Sequence, residues 1–227
     1  MERSEFLRVV RERLRGGDSA GRGRPPDGPA ALPEEYPPTP VSGPALGPLD
    51  ESATGLIFER FAEALAGVGG QARLVGRGEL PEAVAAVARG SDGAAVHDLG
   101  ELGQLVEQGL ARAGCSVLPP GDAEADLGIT SAILGVAATG SVLVSSAQGH
   151  RATALLPPTH LVLLPADRLV PGFGELCTRL EELCRPGRRT PSSLVLVTGP
   201  SRTSDIEMTP VLGVHGPGQV IVLVISA

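Results

Sequence analysis

Between Ser52 and Leu118 the apolar positions switch repeatedly between helical spacing and short continuous runs. That pattern predicts helices over Ser52–Ala66, Leu80–Arg89 and Gly100–Ala113, alternating with strands at Ala72–Val75, Ala94–His97 and Cys115–Leu118. Gly69-Gly70, Gly90 and Gly114 stand where these helices must stop, because glycine enters the left-handed conformation of a C-cap without strain. After Asp122 the pattern predicts a short helical piece near Ser131–Ala137, strands at Ser141–Ser145 and Leu161–Leu164, and a helix over Phe173–Cys184. Strands at Leu194–Val197 and Val220–Ile225 complete the sheet. Alternation of strand and helix implies parallel pairing through right-handed crossovers. The expected class is α/β, a mostly parallel sheet flanked by helices. The run Leu194–Val197, all apolar and with Val195 and Val197 β-branched, suits a strand buried on both faces.

Upstream the rhythm is different. Residues 1–15 predict one amphipathic helix, Ser4–Leu14, with Phe6, Leu7, Val10 and Leu14 on one side. From Gly16 to Leu49, 16 of 34 residues are glycine or proline, a mix that holds neither a helix nor a central strand. This stretch reads as a disordered or extended arm, with polyproline II on the surface as the alternative. Residues 50–227 then form the α/β domain.

Composition narrows the chemistry. Aromatics are only 2% of the 227 residues, so the core is built from Leu, Val, Ile and Ala and a base-stacking surface is not expected. A net charge of -7 argues against binding a nucleic acid backbone. All 19 basic residues are arginine, which rules out a Schiff-base lysine and a P-loop lysine. Cys115, Cys177 and Cys184 form no CxxC spacing, no HxxxH accompanies them, and no metal or cluster site is expected in this chain. The charged N-terminal MERSEFLRVVRERL has no apolar leader core, and no apolar stretch approaches the ~20 residues that cross a bilayer. Cytoplasmic location is the expectation.

The densest chemistry lies in TGPSRTSDIE, Thr198 to Glu207, directly after the Leu194–Val197 run. Loops at strand ends are where α/β proteins bind ligands. Hydroxyls of Ser201, Thr203 and Ser204, the fork of Arg202 and backbone N–H groups at a helix start would suit a carboxylate or phosphate. A plain structural role competes: Ser204 or Asp205 caps a helix, and Arg202 pairs with an acid. His215, in a glycine-flanked turn, suits either an anion or a turn-fixing hydrogen bond. His150 beside Arg151 reads as an extension of the anion site or as a solvated pair; His160 reads as a core-edge histidine and His97 as a loop or cap residue.

Four further segments concentrate small polar residues at strand ends: DLGITSA from Asp126, ATGSVLV from Ala138, LLPPTHLVLLPADRLVP from Leu155 and LGVHGP from Leu212. With TGPSRTSDIE, and in this order, they resemble the LutC/YkgG family of lactate-utilisation (LUD) domain proteins. The resemblance covers residues 120–226 most closely. It implies a Rossmann-like fold similar to the ribose-5-phosphate isomerase and CoA-transferase (NagB/RpiA-like) superfold. It also implies an accessory role beside iron–sulfur partner proteins that carry the clusters for oxidising L-lactate to pyruvate, with no cofactor held by this chain.

On that reading a small anionic ligand is expected at Thr139, Gly140, Gly199, Ser201, Arg202, Thr203, Asp205, Glu207 and His215. Family members read Glu-Thr-Gly where this chain has Ala138-Thr139-Gly140, so a catalytic carboxylate is not expected there and no catalytic residue is assigned. The alternative is a free-standing enzyme on a phosphate- or CoA-binding scaffold.

Overall fold

The computed structural model describes residues 51–183, 191–204, 210–213 and 215–226. The expected helix over 4–14, the arm over 16–49, Cys184, Asp205 and Glu207 lie outside the described residues.

Through Leu118 the chain follows the expected alternation: α1 (Glu51–Gly67), β1 (Gln71–Gly76), α2 (Leu80–Ala88), β2 (Gly93–Val96), α3 (Gly103–Ala113) and β3 (Ser116–Leu118). A 3-10 turn at Gly100–Leu102 leads into α3. Beyond it come β4 (Leu127–Val136), β5 (Ser141–Ser145), β6 (Thr159–Pro165), β7 (Leu169–Val170), α4 (Phe173–Leu183), β8 (Leu194–Val197), β9 (Arg202–Ser204), β10 (Pro210–Leu212) and β11 (Gln219–Ser226). Six strands form a parallel sheet in the order β1-β11-β6-β4-β2-β3, so the last strand in sequence sits beside the first.

Periodicity fails at Ser131–Ala137. The segment predicted as a helical piece is the second half of β4, a ten-residue strand buried at every position. A run that is apolar on both faces carries no period to separate strand from helix, and Ile129, Thr130, Ile133 and Val136 are β-branched. Its first half pairs in parallel with β2 and β6. Its second half pairs with β5 antiparallel and β7 parallel, the register shifting between Ala132 and Leu134 as a β-bulge does.

β8 is also a strand, but not the one expected. It runs antiparallel to β5, and Leu196 is 38% exposed, so it is half-buried rather than enclosed on both faces. One face of the parallel sheet packs on α2 and α3 through Leu80, Val84, Val106, Leu110, Ile129, Leu161 and Leu223. The other carries α1 and the β5 layer through Phe61, Leu65, Val142, Val144, Val162 and Val222. Phe61 and Leu65 are fully buried, and each anchors α1 by roughly 1.5–3 kcal/mol. α4 covers the outer side of β4 and β5 through Leu176 and Leu183.

Candidate functional site

The carboxyl end of α1 gathers several of the residues expected to bind the anion. Gly140 has φ 65, and a Cβ there would lie 2.3 Å from the Leu65 nitrogen, so only glycine lets the turn after β4 press onto the helix. Ser141, 1% exposed, links Thr139 and Thr198 in a chain of hydroxyls, Oγ1 to Oγ 2.7 Å and Oγ to Oγ1 2.7 Å. Gly199 lies against Val68, and Arg202 donates from Nη2 to the Val68 carbonyl beside Gly69. A guanidinium on the final carbonyls of a helix satisfies an orphan acceptor and complements the helix dipole. Its observed partner is thus a carbonyl, where the structural alternative for Arg202 named an acid.

Ser201 joins the same end through its backbone, its N–H donating to Pro217 and its carbonyl accepting from Gly213. Exposed His215 sits in the turn next to Gly216, whose Cα faces the Ser201 side chain. Thr203 is placed by its backbone alone, opposite Val211. Arg202–Ser204 is a strand, β9, paired antiparallel with β10, with Ser204 opposite Pro210; the helix expected after Ser204 or Asp205 falls on residues 205–209, outside the described residues. A second departure concerns position. The loop after β8 comes to the amino ends of β1 and β11, whereas ligand crevices of parallel sheets lie at the carboxyl ends.

At a carboxyl end stands a different group, assembled around β2. His97 follows β2, is 5% exposed, and its backbone N–H continues the ladder to Ile129. It is the loop residue expected, directly after β2, and its side chain is buried. Its Nε2 lies 3.0 Å from the His150 carbonyl, which can only accept, so Nε2 carries the ring proton. Burial lowers the pKa of His97; the hydrogen bond to the His150 carbonyl opposes it, and the His150 ring adds a smaller lowering. The ring is neutral near pH 7, and Nδ1 is a buried acceptor with no partner among the described residues.

His160, fully buried on β6, meets Thr130 through Nε2 at 2.9 Å. Burial first and His97 second push its pKa down to about 3, and its Nδ1 has no partner among the described residues. It lies deeper than the core edge expected. His150 is exposed and caps the 3-10 turn Arg151–Ala154, Nδ1 accepting from the Ala152 N–H at 3.2 Å. That turn is pressed onto β4, where a Cβ on Gly128 would fall 1.8 Å from the Thr153 carbonyl oxygen.

Beside this turn a small cleft of ≈ 20 Å³, room for about one water, is lined by His97 and Arg151, by Val144, Ser145 and Ser146 of β5 and its end, by Leu155, and by Val195 and Val197 of β8. Arg151 pairs with no carboxylate among the described residues. The burial of His97 was not legible in the sequence because its neighbours are non-local; the signal for Arg151 was its place beside His150 in a polar stretch.

Both groups fall within one family match: the LUD domain model covers residues 58–225. The chain belongs to the LUD domain family. A lactate utilization protein C from Halalkalibacterium halodurans is 37% identical over 104 residues, 45% of each chain. YkgG of Escherichia coli strain K12 is 36% identical over 104 residues, again 45% of each. The matched stretch thus spans less than half the length of these curated relatives. A DUF162 family protein from Deinococcus radiodurans shares the fold with a TM-score of 0.57 and 22% identity, over 78% of this chain and 99% of that one. Among the described residues of this LUD domain, no cluster of three or more His, Cys, Asp or Glu could hold a metal, and no helix is long and apolar enough to cross a membrane.

Proposed function

We propose that this LUD-domain chain is a component of an L-lactate utilisation system. The observation that carries the reading is its kinship with proteins named lactate utilization protein C, at 37% identity over the matched stretch. In the finer form of the proposal the chain is an accessory subunit and iron–sulfur partner proteins carry the clusters. Conversion of lactate to pyruvate removes two electrons and two protons, and those clusters would receive the electrons. A small anion would bind where Thr139, Gly140, Gly199, Ser201 and Arg202 gather at the end of α1, with Thr203, Asp205, Glu207 and His215 as the other expected ligands. Hydroxyls and a charge-assisted arginine contact support that placement.

Deleting the gene for this chain and growing the strain on L-lactate as sole carbon source is the test. Growth is expected to fail and to return when the chain is supplied in trans, and the tagged chain is expected to bring down iron–sulfur proteins from lactate-grown cells. Unimpaired growth on lactate would overturn the reading.

A further inference from the structure

Among the described residues four strands of the sheet have a single neighbour, and three of them are guarded against further pairing. β1 exposes Gln71 and Arg73 along its edge, β3 is three residues long and runs into Pro119-Pro120, and β7 is two buried residues. Charge, proline and brevity are what keep an open edge from pairing. β8 has none of these guards: Ser192–Thr198 reads SSLVLVT, and β8 pairs with β5 alone. We propose that the open edge of β8 pairs antiparallel with β8 of a second copy of this chain, joining two sheets across a two-fold axis.

The backbone sets the geometry. The Ser146 N–H donates to the Ser193 carbonyl, so Ser193 faces β5, and alternation along the strand turns Val195 and Val197 the same way. The N–H and C=O groups of Leu194 and Leu196 therefore point to the open side, where they have no hydrogen bond to a described residue. A two-fold axis at Val195 sets Leu194 opposite Leu196 of the second copy and uses all four of these groups.

Two arguments name a second copy as the occupant. The remaining stretches of this chain are unsuited to supply the strand. From Gly16 to Leu49, 16 of 34 residues are glycine or proline; residues 184–190 read CRPGRRT, with a proline and three arginines; residues 1–15 carry a helical apolar period; and residues 205–209 join β9 to β10. The edge is also complementary to itself. Pairing about a two-fold brings residues near the axis against their own copies, where a charge would meet an identical charge, and Ser192–Thr198 has none. Val195 meets Val195 of the second copy on one face, beside Leu155, which is 42% exposed and lines the same small cleft as Val195 and Val197. On the other face Leu196, the exposed leucine of β8, gains cover from Leu194 of the second copy.

Sedimentation velocity of the full chain over a concentration series tests this. The chain should pass from monomer to dimer, and Leu196→Pro should weaken dimerisation roughly tenfold or more, because it removes an outward N–H and leaves the β5 ladder whole. If that variant unfolds, hydrogen exchange of the unaltered chain decides: the Leu194 and Leu196 amides should be protected at dimer concentrations and exchange freely on dilution, while the Val195 and Val197 amides, turned to β5, stay protected throughout. A monomer at every concentration, a dimer that a folded Leu196→Pro variant still forms, or Leu194 and Leu196 amides equally protected at all dilutions, the mark of a covering segment from the same chain, would overturn the proposal.

Discussion

His97 and His160 face the same side of the sheet from opposite flanks of β4, both buried and both with Nδ1 lacking a partner among the described residues. Burial disfavours a proton on each, and His97 further lowers the pKa of His160. In the unfolded chain both would titrate near the ordinary 6.5.

Stability should therefore fall with acidification in a defined window. The folded pKa values lie below the unfolded ones, so between pH 6.5 and about 3 the unfolded chain binds more protons. The contribution of neutral His160 is fully present above pH 6.5 and is lost as pH falls, about 2 kcal/mol of it by pH 5, and His97 adds in the same direction. Thermal melts from pH 7.5 to 5 should show the decline, and His160→Gln, which keeps a partner for Thr130 but cannot titrate, should flatten it. An unchanged slope in that variant would show that other groups control the acid limb.

Arg202→Ala should lower stability through the carboxyl end of α1. Loss of the contact to the Val68 carbonyl removes one charge-assisted hydrogen bond and a favourable dipole contact at an exposed site, together about 1 kcal/mol. Melting temperature reads the structural part and titration with a phosphate-bearing ligand reads any anion affinity. An affinity loss of roughly tenfold or more, beyond the effect on melting, supports the anion site at α1; a change confined to melting would remove it.

Gly140→Ala tests the seat of the turn on α1. The left-handed φ of 65 and the 2.3 Å approach to the Leu65 nitrogen act together, and the cost should exceed the roughly 1 kcal/mol of backbone strain alone. Urea unfolding should show a lower midpoint at unchanged slope. A midpoint equal to that of the parent would mean that the turn relaxes away from the helix.

Cys177 should alkylate well before Cys115. Cys177 is exposed on α4, while Cys115 is buried and its thiol pKa is raised, first by burial and then by Asp126 and Asp92. Timed iodoacetamide labelling with peptide mapping gives the order. Comparable early labelling of both would place Cys115 on a surface that opens readily.

What the chain's sequence determined by itself is local. The helices α1, α2, α3 and α4, the strands between them and the stops at Gly69, Gly90 and Gly114 follow from apolar spacing and from one residue's backbone freedom, which need no distant partner. The five motif segments also sufficed for the family. Tertiary pairing alone decided the rest. Ser131–Val136 became strand because β5 and β7 supply ladders for it, and its uniform burial erased the period that would have announced it. β8 was legible as a strand but not as the partner of β5, and only the folded chain brings the TGPSR loop to Val68 at the end of α1. His97, Arg151 and His160 are separated by more than 50 residues of chain from first to second, so no spacing rule joins them; the side-by-side placement of β2, β4 and β6 does.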